Sequence, residues 1–396
     1  MKKNYFMTGL IVLGLCAITT SCSKDDEKKT YTEEEAQNLD YSSELADAWG
    51  NYAYNVATLL VQDATSLYNE WNTSYATGFK SHNISVTGFS SAEACVEQII
   101  DGCIDIANEV GTAKIGEPVD YWNAGQTTKA LYAVESWYSW HSRDDYKNNI
   151  LSIANSVLGQ RFSQDPSTIQ YRAMIQAGTL TENSLIVKCM KSNELRQPSI
   201  VVWQNICAAW TAIDEIPQPF RNNIGSDEAA AAMDACAALV ESLEALKGKI
   251  ADNLTEDDCQ EIVDQFVDYV VLPTYTDLVT YNKALQTAVA AFKASPSNST
   301  FTAAAAAWLT ARAPWESSEA FLFGPVADMG LDPNMDSWPL DAVGIANLLQ
   351  SQAWSDMEWS GNYDEDDEAI EAAQSVRGYH TLEFLLFKDG KARTVK

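Results

Sequence analysis

Apolar residues return every three or four positions along nearly the whole chain. Ala53, Val56, Leu59, Leu60 and Leu67 form one such stripe, and Ile262, Phe266 and Val270 another. That spacing marks amphipathic helices with one buried face. It predicts helices over 92–110, 126–141, 144–159, 197–214, 227–250, 274–294, 299–313 and 370–388. The 227–250 segment opens on Asp227 and Glu228 and closes on Lys247, Gly248 and Lys249, as the helix dipole favours. Pro273 predicts a kink or restart after Leu272. Strand-like alternation is scarce. Segments 23–40, 110–121 and 322–339 read as linkers or long loops, and 361–368 as a solvated acidic loop. Helices joined this way pack into bundles, so the expected fold class is all-α.

Composition narrows the function. A chain of 396 residues suggests two domains or two halves. Its 26 basic residues against 55 acidic ones give a net charge of −29, which argues against nucleic acid as a partner. The balance is compatible with cation binding, and equally with an ordinary solvated surface. Beyond Cys16 and Cys22, the cysteines are Cys95, Cys103, Cys189, Cys207, Cys236 and Cys259, with no CxxC pair. Cys95 and Cys103 fall about two turns apart on one helix, too far to bridge each other. Buried free thiols are the expectation.

Lys2 and Lys3 precede an apolar run from Phe6 to Ile18, which ends at small residues and Cys22. The run is too short to span a membrane and reads as a secretory signal. The Ser21-Cys22 junction resembles a bacterial lipoprotein signal. The charged Ser-Lys-Asp-Asp-Glu-Lys-Lys that follows resembles the surface-export signal of Bacteroidetes lipoproteins. The resemblance implies a signal peptide over 1–21, lipidation at Cys22, a flexible linker over 22–40 and a surface-facing outer-membrane lipoprotein. Lipid chains on Cys22 anchor such a protein stably. The alternative is a secreted protein with a polar spacer.

Chemistry concentrates near the end of the chain, in Gly378-Tyr-His380-Thr-Leu-Glu383-Phe-Leu-Leu-Phe387. A histidine and a glutamate three apart share one helix face. Glu383 lies among Leu382, Phe384, Leu385 and Leu386, where an ionised carboxylate needs partners. A satisfied core histidine with a salt-bridged glutamate is the plain alternative. The string resembles the GxHxxE motif of the imelysin-like family of iron-regulated, envelope-associated bacterial proteins. Further segments carry the resemblance: Ala307-Trp to Gly324-Pro325 with Arg312, Trp315 and Glu319, then Trp338-Pro339, Glu135-Ser136-Trp137-Tyr138-Ser139 with Asp144, and Ile216 to Phe220.

These landmarks stand in an unusual order. Residues 251–396 resemble the family's first half and 41–250 its second, as in a circularly permuted chain; two mis-assigned half-repeats are the alternative. The resemblance implies a site between the halves at His380 and Glu383, with Arg312, Trp315, Glu319, Glu135, Ser136 and Ser139 as metal- or ligand-binding candidates. Arg312 is a fixed cation able to grip a carboxylate. His82 and His141 have no motif around them and read as surface or loop residues.

Asp332-x-Asn334-x-Asp336 mimics the opening of a calcium loop, but Ser337 replaces the turn glycine and Val343 the bidentate glutamate. The acidic run Asp364–Glu368 lacks that glycine too.

Three function classes remain. The first is binding of a metal ion, with iron favoured and zinc or manganese as alternatives, or of a small anionic ligand, alongside envelope iron-uptake partners; a mixed nitrogen and oxygen site suits those metals. The second, implied by the family's classification, is a metallopeptidase. The chain has no HExxH and only three histidines, too few for a His-rich zinc site. The third is a glycan-binding or structural surface protein with Trp315, Trp338 and Trp137 as platforms, although tryptophan at such positions is usually core.

Overall fold

The helix Ala46–Glu70 lies along the helix Leu272–Ala294, and Asn298–Glu316 packs on the latter. A computed structural model describes residues 30–395, so the signal run and Cys22 fall outside the described residues. From Tyr31 onward the chain is one compact unit. Trp49, Leu60, Leu278, Val289, Trp308 and Phe301 are buried in its core, as the three-and-four spacing requires. A second group of helices, Ala92–Glu109, Ser142–Leu158, Arg196–Glu215 and Asp227–Lys247, packs mutually. Ser142–Leu158 also reaches Asn298–Glu316, and both it and Ala92–Glu109 pack on the turn Glu319–Phe321, so stretches before and after residue 250 share one core. No described helix is long and apolar enough to cross a membrane. The fold is all-α; among the described residues the strands are Phe387–Lys388 and Lys391–Ala392, one short hairpin.

Several elements differ from the periodicity. The expected helix 126–141 covers only Thr127–Ala133, because Ser136 and Trp140 take positive φ (50° and 64°) and residues 134–140 turn instead. The expected helix 370–388 is two, Glu368–Gln374 and Gly378–Leu386, broken where Gly378 has φ 89°. The stretch 110–121, read as a linker, is a π-helical turn Val110–Lys114 followed by the helix Gly116–Asn123. The stretch 322–339 holds the short helices Pro325–Asp328 and Leu331–Asp336, the second anchored by buried Leu331 and Met335. Within 23–40, Glu33–Gln37 is a helix capped by Thr32. At Pro273 the helix does not break: the backbone stays helical from Glu256–Phe266 through a π-helical turn, Val267–Val271, into Leu272–Ala294, and the wider turn accommodates the proline. The cysteines after Cys22 are free thiols.

The two ends of the body meet. Asp40 pairs with Lys388 at 3.2 Å and Arg393 at 2.6 Å, and Trp49 Nε1 donates to the Leu385 carbonyl at 2.8 Å. Tyr41 packs edge-on against Trp49, which stacks on Phe384. Domains commonly bring their ends together in this way, whatever the order of their halves.

Candidate functional site

Gly378 explains why the motif begins with glycine. Its φ of 89° suits only glycine well, and a Cβ there would lie 2.6 Å from the Met335 carbonyl oxygen. The helix Gly378–Leu386 therefore starts hard against the end of Leu331–Asp336, and Asp336 arrives beside His380. His380 is fully buried. Its Nε2 lies 3.0 Å from Asp336 Oδ1 and 3.4 Å from Glu135 Oε1, and its Nδ1 3.2 Å from Glu383 Oε2. The other Glu383 oxygen accepts the Ser139 backbone N–H at 2.7 Å. Trp338 lies on the imidazole, ring centroids 4.8 Å apart, and donates Nε1–H to the Ala133 carbonyl.

Arg312 gathers the carboxylates. The helix Asn298–Glu316 continues through Pro314, so Arg312, Trp315 and Glu316 share its last turns. The Arg312 guanidinium pairs with Glu135 at 2.8 Å, Glu316 at 2.7 Å, Asp145 at 3.4 Å, and with Asp336. Its Nη2 is 3.3 Å from His380 Nε2. Trp315 Nε1 donates to Asp336 Oδ2 at 2.7 Å, and Asn149 donates to Glu316 at 2.7 Å.

Beyond Arg312 the π-helical turn Val110–Lys114 delivers Lys114 to Glu135 at 3.3 Å and to Glu319 and Glu109, both at 3.8 Å. Such turns recur at functional sites because they re-aim a side chain within a helix. Close contact helps here too: a Cβ on Gly102 would lie 2.1 Å from the Ala320 carbonyl oxygen, so the helix Ala92–Glu109 touches the Glu319–Phe321 turn directly. Glu109 and Asp332 stand at the edge of this cluster with exposed side chains.

The charges are unevenly shared. Burial opposes ionisation of Glu135, but Lys114, His380 and Arg312 outweigh it and hold its pKa down to about 2. Burial likewise opposes Asp336, yet Arg312 and His380 hold it well below the usual carboxylate range. Burial pushes Asp145 up to about 6 against the pull of Arg312. Glu316 and Glu319 rise well above their ordinary value through burial, despite Arg312 and Lys114. Burial and Arg312 disfavour a charged His380, but Asp336 and Glu135 overcome both and raise its pKa well above the ordinary value. The cluster thus holds more carboxylates than fixed cations and retains protons to compensate.

The candidates from the sequence converge. Arg312, Trp315, Glu319, Glu135, His380 and Glu383 all lie in this network, and Ser136 donates to Asp145. Ser139 contributes mainly its backbone N–H, while its hydroxyl turns back to the Ser136 carbonyl. His141, on the connecting loop, is half-buried, with Nδ1 2.8 Å from the Ser139 carbonyl; His82 lies near Glu256. Sequence reasoning passed over Asp336, Glu316, Asp145, Lys114, Glu109 and Asn149. Asp336 sat inside the rejected calcium-loop mimic, which is part of the helix Leu331–Asp336. Glu316 stands three before Glu319 and four after Arg312, a spacing that is the one local signal available.

Among the described residues, two sets of donors could hold a metal ion. Glu135, Asp336 and His380 bring one ligand atom each within 4.8 Å of one another, and so do Glu316, Glu319 and Asp336. In the first set Glu383 fixes the imidazole through Nδ1 and leaves Nε2 facing the acids, the usual task of a carboxylate behind a metal-binding histidine.

Comparison with known proteins agrees with this architecture. The chain matches the imelysin family model over residues 24–246 and 271–396. It is 51% identical to an imelysin peptidase from Bacteroides ovatus whose crystal structure superposes with a TM-score of 0.83, covering 91% of this chain and 100% of that one. Over 127 residues it is 32% identical to iron-regulated protein A of Synechococcus elongatus. That match takes in 32% of this chain and 31% of the relative's length. The chain belongs to the imelysin family.

Proposed function

We propose that this protein binds a metal cation, with iron favoured over zinc or manganese, through His380, Glu135 and Asp336, and serves iron uptake at the cell envelope. The observation that carries the reading is the gathering of one imidazole nitrogen and two carboxylate oxygens within 4.8 Å of one another, with the imidazole oriented from behind by Glu383. Mixed nitrogen and oxygen donors suit first-row metals of this kind. The name of the iron-regulated relative supports an iron-related role. The excess of carboxylates favours a cation over a small anionic ligand. The residues 1–22 support an outer-membrane lipoprotein anchored at Cys22 and facing the surface, within reach of uptake partners.

A metallopeptidase is the second reading, favoured by the name of the Bacteroides relative. A catalytic metal needs an open coordination position and a general base, and each triad donor faces Arg312 instead. A glycan platform has less support, since Trp315 and Trp137 are buried.

The test is elemental analysis of full-length protein purified without chelator, beside His380→Ala, together with thermal shifts on adding ferrous, manganous or zinc ions. Near-stoichiometric metal that disappears in the variant is expected. Absence of metal from the wild type, with no shift from any added ion, overturns the reading.

A further inference from the structure

Arg312 stands where a metal held by His380, Glu135 and Asp336 would stand. The three donor atoms of the first set face a single guanidinium: Nη2 lies 2.8 Å from Glu135 Oε1 and 3.3 Å from His380 Nε2, and Nη1 bonds Asp336 Oδ1. Metal bonds to nitrogen and oxygen donors of this type run to about 2.0–2.2 Å. A metal held by those atoms and a guanidinium in its present position would overlap, and two cations that close repel.

We propose that Arg312 is a tethered competitor, a side chain that fills the cation position and must withdraw before a metal ion binds, so that it determines which ions enter. The proposal rests on the metal-binding reading of the same site. An ion succeeds only if its attraction to His380, Glu135 and Asp336 exceeds that of the guanidinium. Singly charged ions fail this condition, whereas divalent or trivalent first-row ions, which take imidazole nitrogen well, meet it.

The site also contains somewhere for the displaced group to go. Glu316 Oε1 lies 2.7 Å from Arg312 Nη2 and Asp145 Oδ2 lies 3.4 Å from its Nε, and neither acid belongs to the first donor set. The Tyr379 and Trp308 rings stand 5.5 and 6.0 Å from the guanidinium carbon and offer cation–π contact. A swing toward this side keeps the arginine charge paired while it frees Nε2, Oε1 and Oδ1.

The experiment is titration calorimetry of full-length protein with manganous and zinc ions on the wild type and four variants. His380→Ala removes a donor. Arg312→Lys keeps a buried cation but cannot fork across Glu135 and Asp336. Arg312→Met removes the competitor, and Arg312→Met with Glu316→Gln also removes one carboxylate outside the first set, so that the loss of charge is balanced. Binding should tighten several-fold in Arg312→Lys and at least tenfold in the methionine variants. A methionine variant that binds when the wild type does not also supports the proposal, since the site was then masked. Equal or weaker binding in Arg312→Lys and in whichever methionine variants fold, alongside a wild type whose binding His380→Ala abolishes, overturns the competitor and leaves the metal-binding reading standing. Absence of binding in the wild type and in every folded Arg312 variant overturns both.

Discussion

His380 Nδ1 lies 3.2 Å from Glu383 Oε2, and both side chains are fully sealed from solvent. The remaining Glu383 oxygen is taken by the Ser139 N–H, so one carboxylate ties the motif helix to the loop that carries Glu135. Removing it leaves an imidazole without its orienting partner and a backbone donor without an acceptor. Glu383→Ala should cost about 3–5 kcal/mol, the range for breaking a buried charge pair. Glu383→Gln keeps an acceptor for Ser139 and should cost about 1–3 kcal/mol. Exposed Asp366→Ala should stay within about 0.5 kcal/mol. Urea denaturation of the three variants checks the ranking; equal effects for Glu383→Ala and Asp366→Ala would defeat it.

The metal-free protein should lose stability as pH rises from about 5 to 8. Asp145 ionises near 3.8 when unfolded but near 6 when folded, so the folded state holds its proton longer. His380, with its pKa raised, likewise supplies stability below about 6.5 that fades as pH climbs through its folded value. Glu135 and Asp336 act in the opposite sense, but their contribution is lost only in strong acid. Melting temperatures measured in steps from pH 5 to 8 should fall, and Asp145→Asn should flatten the slope. A rise across that window contradicts the assignment.

Gly378→Ala should destabilise the fold by more than the roughly 1–2 kcal/mol of a left-handed residue, because its Cβ meets the Met335 backbone oxygen. The strain also pushes Leu331–Asp336 away from His380, so metal affinity should drop along with stability. A variant as stable as the wild type, with unchanged metal affinity, would show that the two helices do not need this contact.

Peptide hydrolysis dependent on His380 and Glu383 is not expected, since Glu383 is committed to His380 and Ser139 and is not free to act as a general base. A fluorogenic peptide library incubated with pure protein, with and without zinc, should remain at background. Sustained turnover abolished by Glu383→Gln is the contrary result.

The sequence by itself determined the all-α class, the long helices and a set of polar residues too costly to bury alone. These are local matters: the stripe from Ala53 to Leu67, and an acid such as Glu383 among leucines, are visible within a few turns of chain. Local signals also misled. The periodicity ran on through Ser136 and Gly378, because hydrophobic spacing does not register a positive φ that distant contacts stabilise. Only the tertiary structure decided that Asp336, Glu316, Asp145 and Lys114 belong with His380. They come from separate helices and turns, and what unites them is their distance from Arg312 or from one another's carboxylates, a property of packing. It decided, too, that Glu383 supports the imidazole from behind while Asp336 faces it, since which oxygen meets which nitrogen depends on how the helices dock.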